Sequence, residues 1–385
     1  MSHALLSASS SKKWINCPPS ARLEEQFPDT ASQYAKEGTL AHSIAELKVR
    51  KYFMEPMSQR TYNSRLKKLQ KDELYDPEML THTDTYLEYI KDIAYGCTVS
   101  PFVTAEKRLD YSDVAPEGFG TGDCILINGD TLYIIDFKYG KGVPVYAEGN
   151  TQMMLYAIGA IKAYGLLYTI NNIVMTIVQP RLDNIIESHI SVAELNEWAE
   201  SIKPVAELAF KGEGDFCEGD WCGFCRARPV CRHRSDQLTA LEAFGCKLPP
   251  LISDNEVGEI LTKAGWLKKW VGDIEQYALS AILSGKEIPG WKAVEGRKSR
   301  AFTDGEKAFN AVIQKGYDES LLYERKPLSL TNIEKLMGKK EFNDVLSYYI
   351  TVAPGKPTLA PISDSRESIK NKISAQEAFD QEETK

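Results

Sequence analysis

Residues 122–138 read GDCILINGDTLYIIDFK, with two apolar, β-branched runs on either side of Asn128-Gly129. Asn-Gly between such runs is the strongest short-range signal for a tight hairpin. With Asn128 and Gly129 as the turn, Ile127 pairs with Asp130 and Asp123 falls opposite Ile134. Cross-strand partners share a face, and side chains alternate along a strand. Asp123, Ile134, Asp136 and Lys138 then lie on one face, with Asp136 diagonal to Asp123. Two carboxylates and a lysine converge at the open end of the hairpin. A one-residue change of turn length would reverse the facing and dissolve that convergence.

Carboxylates within reach of each other repel, and each is pushed toward its protonated form unless a cation intervenes. Hard divalent ions such as Mg²⁺ or Mn²⁺ take oxygen ligands of this kind. A lysine two residues on could orient a water or hold a phosphate oxygen. An isolated Asp-x-Lys is more often a solvated strand end. Here Asp136 ends a fully apolar run, Leu132–Ile135, and the turn brings up a second Asp.

Around this hairpin the chain reads as alternating helices and strands. Residues 35–47 form a helix carrying His42 and Glu46, four apart and on one face. Residues 50–95 are helical, with Arg65, Lys67, Lys68 and Lys71 and a poorly ordered polar stretch at 72–76. Phe102–Leu109 is a strand bearing Glu106. A glycine-rich exit follows Lys138, carrying Lys141 and compatible with backbone approaching phosphate. It is not a P-loop, so no ATPase motor is expected. Asn150–Tyr164 is a helix with Gln152 and Tyr156 on one face. Asn172–Gln179 is a buried strand, and Val192–Phe210 a helix. Serines at 7–11 are expected to cap an N-terminal helix that buries Trp14.

Gly122-Asp123, Asp136-Phe137-Lys138 and Gln152-x3-Tyr156 resemble the core of the PD-(D/E)XK nuclease superfamily in its RecB-like branch. Gly38–Glu46 is similar to the histidine-bearing first motif of that branch. The resemblance runs from about Leu5 to Arg234. It implies an α/β, restriction-endonuclease-like mixed central sheet flanked by helices. It implies Mg²⁺ or Mn²⁺ bound by His42, Asp123, Asp136 and the Phe137 carbonyl. Asp123, Asp136, Lys138, Gln152 and Tyr156 are then catalytic. Glu46 becomes a second partner for the imidazole, and Glu106 and Lys141 rank below the rest.

Eight cysteines in a chain without a secretory leader pattern are not expected to form structural disulfides; Cys97, Cys124 and Cys246 read as small buried residues. Cys222-x2-Cys225-x5-Cys231 supplies three soft ligands, and Cys217 could complete a zinc knuckle. The resemblance extends to AddB-type helicase–nuclease subunits and CRISPR-associated RecB-like exonucleases. In these, one cysteine before the nuclease core joins three after it around a 4Fe–4S cluster. That arrangement selects Cys17, Cys222, Cys225 and Cys231 and leaves Cys217 surplus. Softness alone does not choose between iron–sulfur and zinc.

The domain layout expected is a nuclease domain over 1–245, an accessory region over 246–362 and a mobile polar tail over 363–385. The accessory region holds a long amphipathic helix at 249–284 and shorter helices near 304–315 and 331–346, so the C-terminal extension is mostly helical. A net charge of −8 argues against indiscriminate nucleic-acid binding but allows local basic clusters, one of them at Arg226, Arg228, Arg232, His233 and Arg234. No apolar run is long enough to cross a bilayer, so a cytoplasmic protein with no membrane partner is expected. The expectation is a metal-dependent deoxyribonuclease, an exonuclease acting on DNA ends or single strands in phage recombination or processing. A phage recombination or single-strand-binding protein is its expected partner. The rivals are a non-cleaving DNA- or partner-binding scaffold on the same fold, and an iron–sulfur redox enzyme. The missing dinucleotide fingerprint weighs against the last.

Overall fold

A computed structural model of the chain describes residues 4–28, 33–239, 253–294, 305–315, 318–323, 329–346 and 349–350. Helices Ser11–Asn16 (α1), Ser20–Leu23 (α2), Gln33–Val49 (α3), Gln59–Leu69 (α4) and Glu78–Gly96 (α5) precede the sheet. Its strands are Phe102–Asp110 (β1), Phe119–Asn128 (β2), Thr131–Phe137 (β3), Asn172–Gln179 (β4) and Asn184–Ser191 (β5). Thr151–Tyr164 (α6) links β3 to β4. Val192–Lys211 (α7), Arg232–Thr239 (α8) and Asp254–Leu283 (α9) follow.

The strands lie in chain order across one sheet. β3 and β4 are parallel and every other neighbouring pair is antiparallel. The mixed α/β fold expected from the sequence is therefore present. β5 was not expected. As an edge strand it alternates half-buried and exposed residues and lacks the continuous apolar run that marked β4. Burial on both sides explains that run, because helices cover each face of the sheet. One layer packs Trp14, Met153, Tyr156, Leu195 and Ile202 against Leu109, Ile125, Ile134 and Met175. The other packs Leu40, Ile44, Met79, Tyr86 and Ile90 against Cys124, Leu126, Ile135 and Phe137.

The central hairpin turns one step later than expected. Asn128 pairs with Thr131, so Gly129 and Asp130 are the turn, and the positive φ of Gly129 suits its first position. Two interactions hold it there. The Asn128 amide donates to the Val99 carbonyl, and the Asp130 carboxylate accepts from Asn171 and Asn172. The pairing moves by two residues, so facing is preserved and Asp136 comes directly across from Asp123 instead of diagonal to it.

Smaller departures have local causes. The serines near the N-terminus donate no side-chain cap to α1; the Ser7 and Ser10 hydroxyls bond each other, and the Ser7 carbonyl accepts from Trp14 Nε1. The stretch at 72–76 is ordered by two aspartates whose carboxylates accept from backbone N–H groups two residues on. Cys124 is buried as expected, whereas Cys97 is half-buried and donates to the Ile93 carbonyl. Cys246 and the expected tail lie outside the described residues.

The chain divides into two compact units, Met1–Ser280 and Ala281–Lys385. The first holds the sheet and α9 as far as Ser280. α9 starts in a reciprocal cap, Ser253 Oγ accepting from Glu256 N while Glu256 accepts from Ser253. The second holds Gly305–Gln314 (α10), Leu330–Met337 (α11) and Lys339–Leu346 (α12). α11 and α12 replace the single helix expected over 331–346 because Gly338, at φ +81°, separates them. No helix among the described residues is long and apolar enough to cross a membrane.

Candidate functional site

Ala105 pairs with Cys124 and Lys107 with Gly122, so Glu106 lies across from Asp123. Cys124 pairs with Ile135, so the next step sets Asp123 across from Asp136. Three carboxylates on three adjacent strands thus form one row.

Glu106 sits at φ +50° in mid-strand, a left-handed conformation that costs a non-glycine residue roughly 1–2 kcal/mol. Its effect is visible in the packing. Ala105 belongs to the α3–α5 layer, but Leu109, four residues on, belongs to the α6–α7 layer. Strict alternation would put them on one face. The partner strand reverses at the same level: Cys124 packs with α3 and α5, while a side chain at Gly120 would strike the Tyr156 ring at 2.6 Å. The strand pair swivels where Glu106 and Asp123 meet, and both carboxylates swing toward α3.

There His42 is waiting. Its Nδ1 lies 3.3 Å from Asp123 Oδ1, and its ring meets Phe137 edge-on at 5.3 Å. The other Asp123 oxygen accepts from the Phe137 backbone N–H at 2.8 Å. His42, Glu106 and Asp123 each offer a ligand atom within 4.8 Å of the others, the one such group of His, Cys, Asp and Glu among the described residues. Glu106, ranked low from sequence, therefore stands with His42 and Asp123. Glu46 departs from expectation, because it accepts from Arg50 at 3.1 Å in a ladder that continues to Glu55. The imidazole takes Asp123 instead.

On the α6 side, Lys138 Nζ lies 2.9 Å from Asp136 Oδ2 and donates to Gln152 Oε1 at 3.3 Å. Gln152 Nε2 reaches Asp136 Oδ1 at 3.2 Å and the Tyr156 hydroxyl at 3.1 Å. Asp136, Lys138, Gln152 and Tyr156 thus form one network; helical spacing put Gln152 and Tyr156 on one face, and the resemblance set that face beside Asp136 and Lys138. Lys141 is exposed in the loop beyond. That loop is fastened by buried Gln179, which sequence reasoning passed over: its amide donates to the Gly140 and Val143 carbonyls and accepts from Val145 N–H.

The electrostatics are those of a buried acidic site only partly offset by His42 and Lys138. Burial, with Asp123 beside it, lifts the Glu106 carboxyl to about 7. Burial also raises Asp136, and Lys138 offsets only part of this. Burial works against His42 as a cation, yet Asp123 outweighs it and lifts the imidazole to about 9. Burial likewise opposes ionisation of Asp123, but His42 and Lys138 hold that carboxyl below its ordinary value. Asp136 Oδ2 is buried, and the Lys138 ammonium 2.9 Å away is the partner it meets. Clustered acidic oxygens and an imidazole, each within 4.8 Å of the others, fit a hard divalent cation.

The cysteines meet elsewhere. Cys17, Cys217, Cys222, Cys225 and Cys231 line one cavity with Lys13, Arg228 and Arg234. Cys17 Sγ accepts from the Cys217 backbone N–H at 3.5 Å. Cys17 and Cys225 are buried, whereas Cys217 is exposed and its thiol turns to the Glu218 carbonyl. Burial pushes the Cys225 thiol up to about 12 and raises Cys17 and Cys222. Five thiols, that of Cys217 exposed, and three cationic side chains around one cavity fit a soft metal centre bound as thiolates. The ends are tied independently: buried Glu24 pairs with Lys13 and accepts from Arg226 N–H at 2.6 Å. Arg226 and Arg228 bond inside the fold and Arg234 is buried, while Arg232 is exposed, so the basic cluster is only partly on the surface.

Among solved structures, the one titled "Crystal structure of SSO0001" is 14% identical, with a TM-score of 0.24, covering 56% of this chain and 95% of that one. The family described as "Protein of unknown function (DUF2800)" matches residues 3–367. The chain belongs to that family.

Proposed function

We propose that this protein is a metal-dependent deoxyribonuclease of the PD-(D/E)XK superfamily, with a structural 4Fe–4S cluster beside the nuclease core. The observation that carries the reading is the Glu106–Asp123–Asp136 row, closed by His42 on one side and Lys138–Gln152 on the other. His42, Glu106, Asp123 and Asp136 would hold the Mg²⁺ or Mn²⁺. The ion would supply Lewis-acid stabilisation of charge developing on the scissile phosphate. Lys138, fixed by Asp136 and Gln152, points an ammonium at the same place and can steady a phosphate oxygen or the attacking water. Tyr156, its hydroxyl raised by burial, stays protonated and holds the Gln152 amide in orientation.

Iron–sulfur is favoured over zinc by the order of the cysteines that line the cavity, Cys17 before the sheet and Cys222, Cys225 and Cys231 after it, which resembles the split ligand set of the AddB-type iron–sulfur nucleases.

The test is cleavage of end-labelled single- and double-stranded DNA by the anaerobically purified chain with Mn²⁺, Mg²⁺ or EDTA, beside Asp136→Ala. Metal-dependent degradation that disappears in the variant is the expected result. Cleavage retained by Asp136→Ala would remove the mechanism. DNA binding without cleavage by the wild type would favour the scaffold reading.

A further inference from the structure

Arg234 is 7% exposed and forms part of the wall of the cysteine cavity. Its Nη1 is buried without a hydrogen-bond acceptor. The nearest carboxylate oxygen, Asp273 Oδ2 on α9, is 3.5 Å away and itself lacks a donor. Asp273 is held more closely by Arg228, whose Nε lies 3.0 Å from Oδ1. The Arg228 carbonyl in turn accepts from Trp270 Nε1 at 3.1 Å, on the same face of α9 as Asp273. One carboxylate thus serves two guanidinium groups and satisfies the nearer.

A buried cation with an unused N–H is costly unless something beside it accepts the bond. The cavity that Arg234 lines is walled by cysteines, and a thiol is a weak acceptor. Once the thiols become metal-bound thiolates, they give the cavity negative charge and strong acceptors. The Arg234 charge already offsets part of the rise that burial imposes on Cys222.

We propose that Arg234 is the N–H donor to the metal–thiolate group held by Cys17, Cys222, Cys225 and Cys231, and that Asp273 and Trp270 of α9 position it. The inference rests on the iron–sulfur reading of the cavity. It gives α9 a role that its sequence did not disclose, as the brace of the metal lobe. Reduction adds negative charge to the cluster, so a fixed cation beside it also favours the reduced state.

The experiment uses the full chain, purified anaerobically, as wild type, Arg234→Met, Arg234→Lys and Asp273→Asn. Iron, zinc and acid-labile sulfide per chain are measured first, then the lifetime of the visible absorbance in air and the midpoint potential. Arg234→Met is expected to weaken metal retention about 10- to 100-fold, as loss of a hydrogen bond behind a metal ligand typically does. Its potential should move negative. Arg234→Lys should recover part of both, and Asp273→Asn should fall between. Arg234→Met and Arg234→Lys with wild-type lifetime and potential would overturn the proposal. If the wild type carries zinc instead, the iron–sulfur reading fails, and the donor role is read from zinc release to a chelator: faster loss in both Arg234 variants keeps it, equal rates end it. A wild type that takes up neither metal, even on reconstitution, ends both.

Discussion

The carboxylate row and the cysteine cavity are both built of metal-binding side chains, but the fold holds them in opposite ways. The row sits on three hydrogen-bonded strands and the helices packed against them, so backbone pairing fixes its geometry before any ion arrives. The cavity joins Cys17 to residues some two hundred positions away, through the buried Lys13–Glu24 pair and a few hydrogen bonds. In the row, like charges are forced together at the expense of stability. In the lobe, the bound group would add stability by closing a long loop. On the proposed function, one site would spend fold stability on chemistry and the other would stabilise the fold.

The sharpest way to break this contrast is to change each site and read both activity and melting. Glu106→Gln removes a charge that Asp123 repels and burial disfavours. Cleavage should fall by about two orders of magnitude, the scale of losing one electrostatic contact at a reacting centre, while the melting temperature stays level or rises. Cys17→Ser should show the reverse weighting. Loss of the closure is expected to cost on the order of 3–5 kcal/mol, by comparison with a covalent cross-link over a long loop. Residual cleavage at low temperature should survive. A Glu106→Gln protein that melts early, or a Cys17→Ser protein that melts normally with its metal gone, would erase the distinction.

Proton linkage gives a finer reading of the row. Glu106 titrates near 7 and His42 near 9, both above their ordinary values. In the metal-free chain the folded state therefore binds these protons more tightly than the unfolded state. The stability they contribute is full at low pH and is lost as pH rises through about 7 and then about 9. A cation must displace both protons. Log metal affinity should climb with pH at a slope approaching two below about 7 and one between about 7 and 9, flattening above. Calorimetry in buffers of different ionisation heat would count the protons released. A slope near zero would mean that the ion binds without displacing either proton.

Much of the row could be read from sequence because local rules generate it. Asp136 and Lys138 end an apolar strand, a tight turn sets Asp123 against them, and helical spacing puts Gln152 beside Tyr156. The turn was misplaced, yet the error was an even number of residues and left the facing intact. Glu106 was undervalued because its prominence depends on a left-handed residue inside a strand, which alternation rules cannot anticipate. Glu46 was overvalued because helical spacing offers it two partners, His42 four residues back and Arg50 four residues on, and Arg50 took it. Gln179 and Asp273 carried no motif, and Arg234 stood out only as one of a basic cluster. Their roles are set by what tertiary packing places next to them, the 140–145 loop for Gln179 and α9 for Arg234.

The smallest effect expected probes how far the row depends on α6. Gly120 has no side chain, and an added Cβ would lie 2.6 Å from the Tyr156 ring and 3.3 Å from Ala8. The ring is buried in the core layer and cannot swing away freely. Gly120→Ala should therefore cost about 1–3 kcal/mol, the range for overpacking a core, and push Tyr156 outward. Tyr156 meets Gln152, and Gln152 meets both Asp136 and Lys138. The displacement should reach the reacting centre as a several-fold fall in turnover, with a smaller loss of metal affinity, because Gln152 touches Asp136 while His42, Glu106 and Asp123 meet on the α3 side. Equal losses of turnover and metal affinity would show instead that the strand swivel at Glu106 and Asp123 has been disturbed. In that case the row is only as rigid as the packing around Gly120, and its contrast with the cysteine lobe is one of degree.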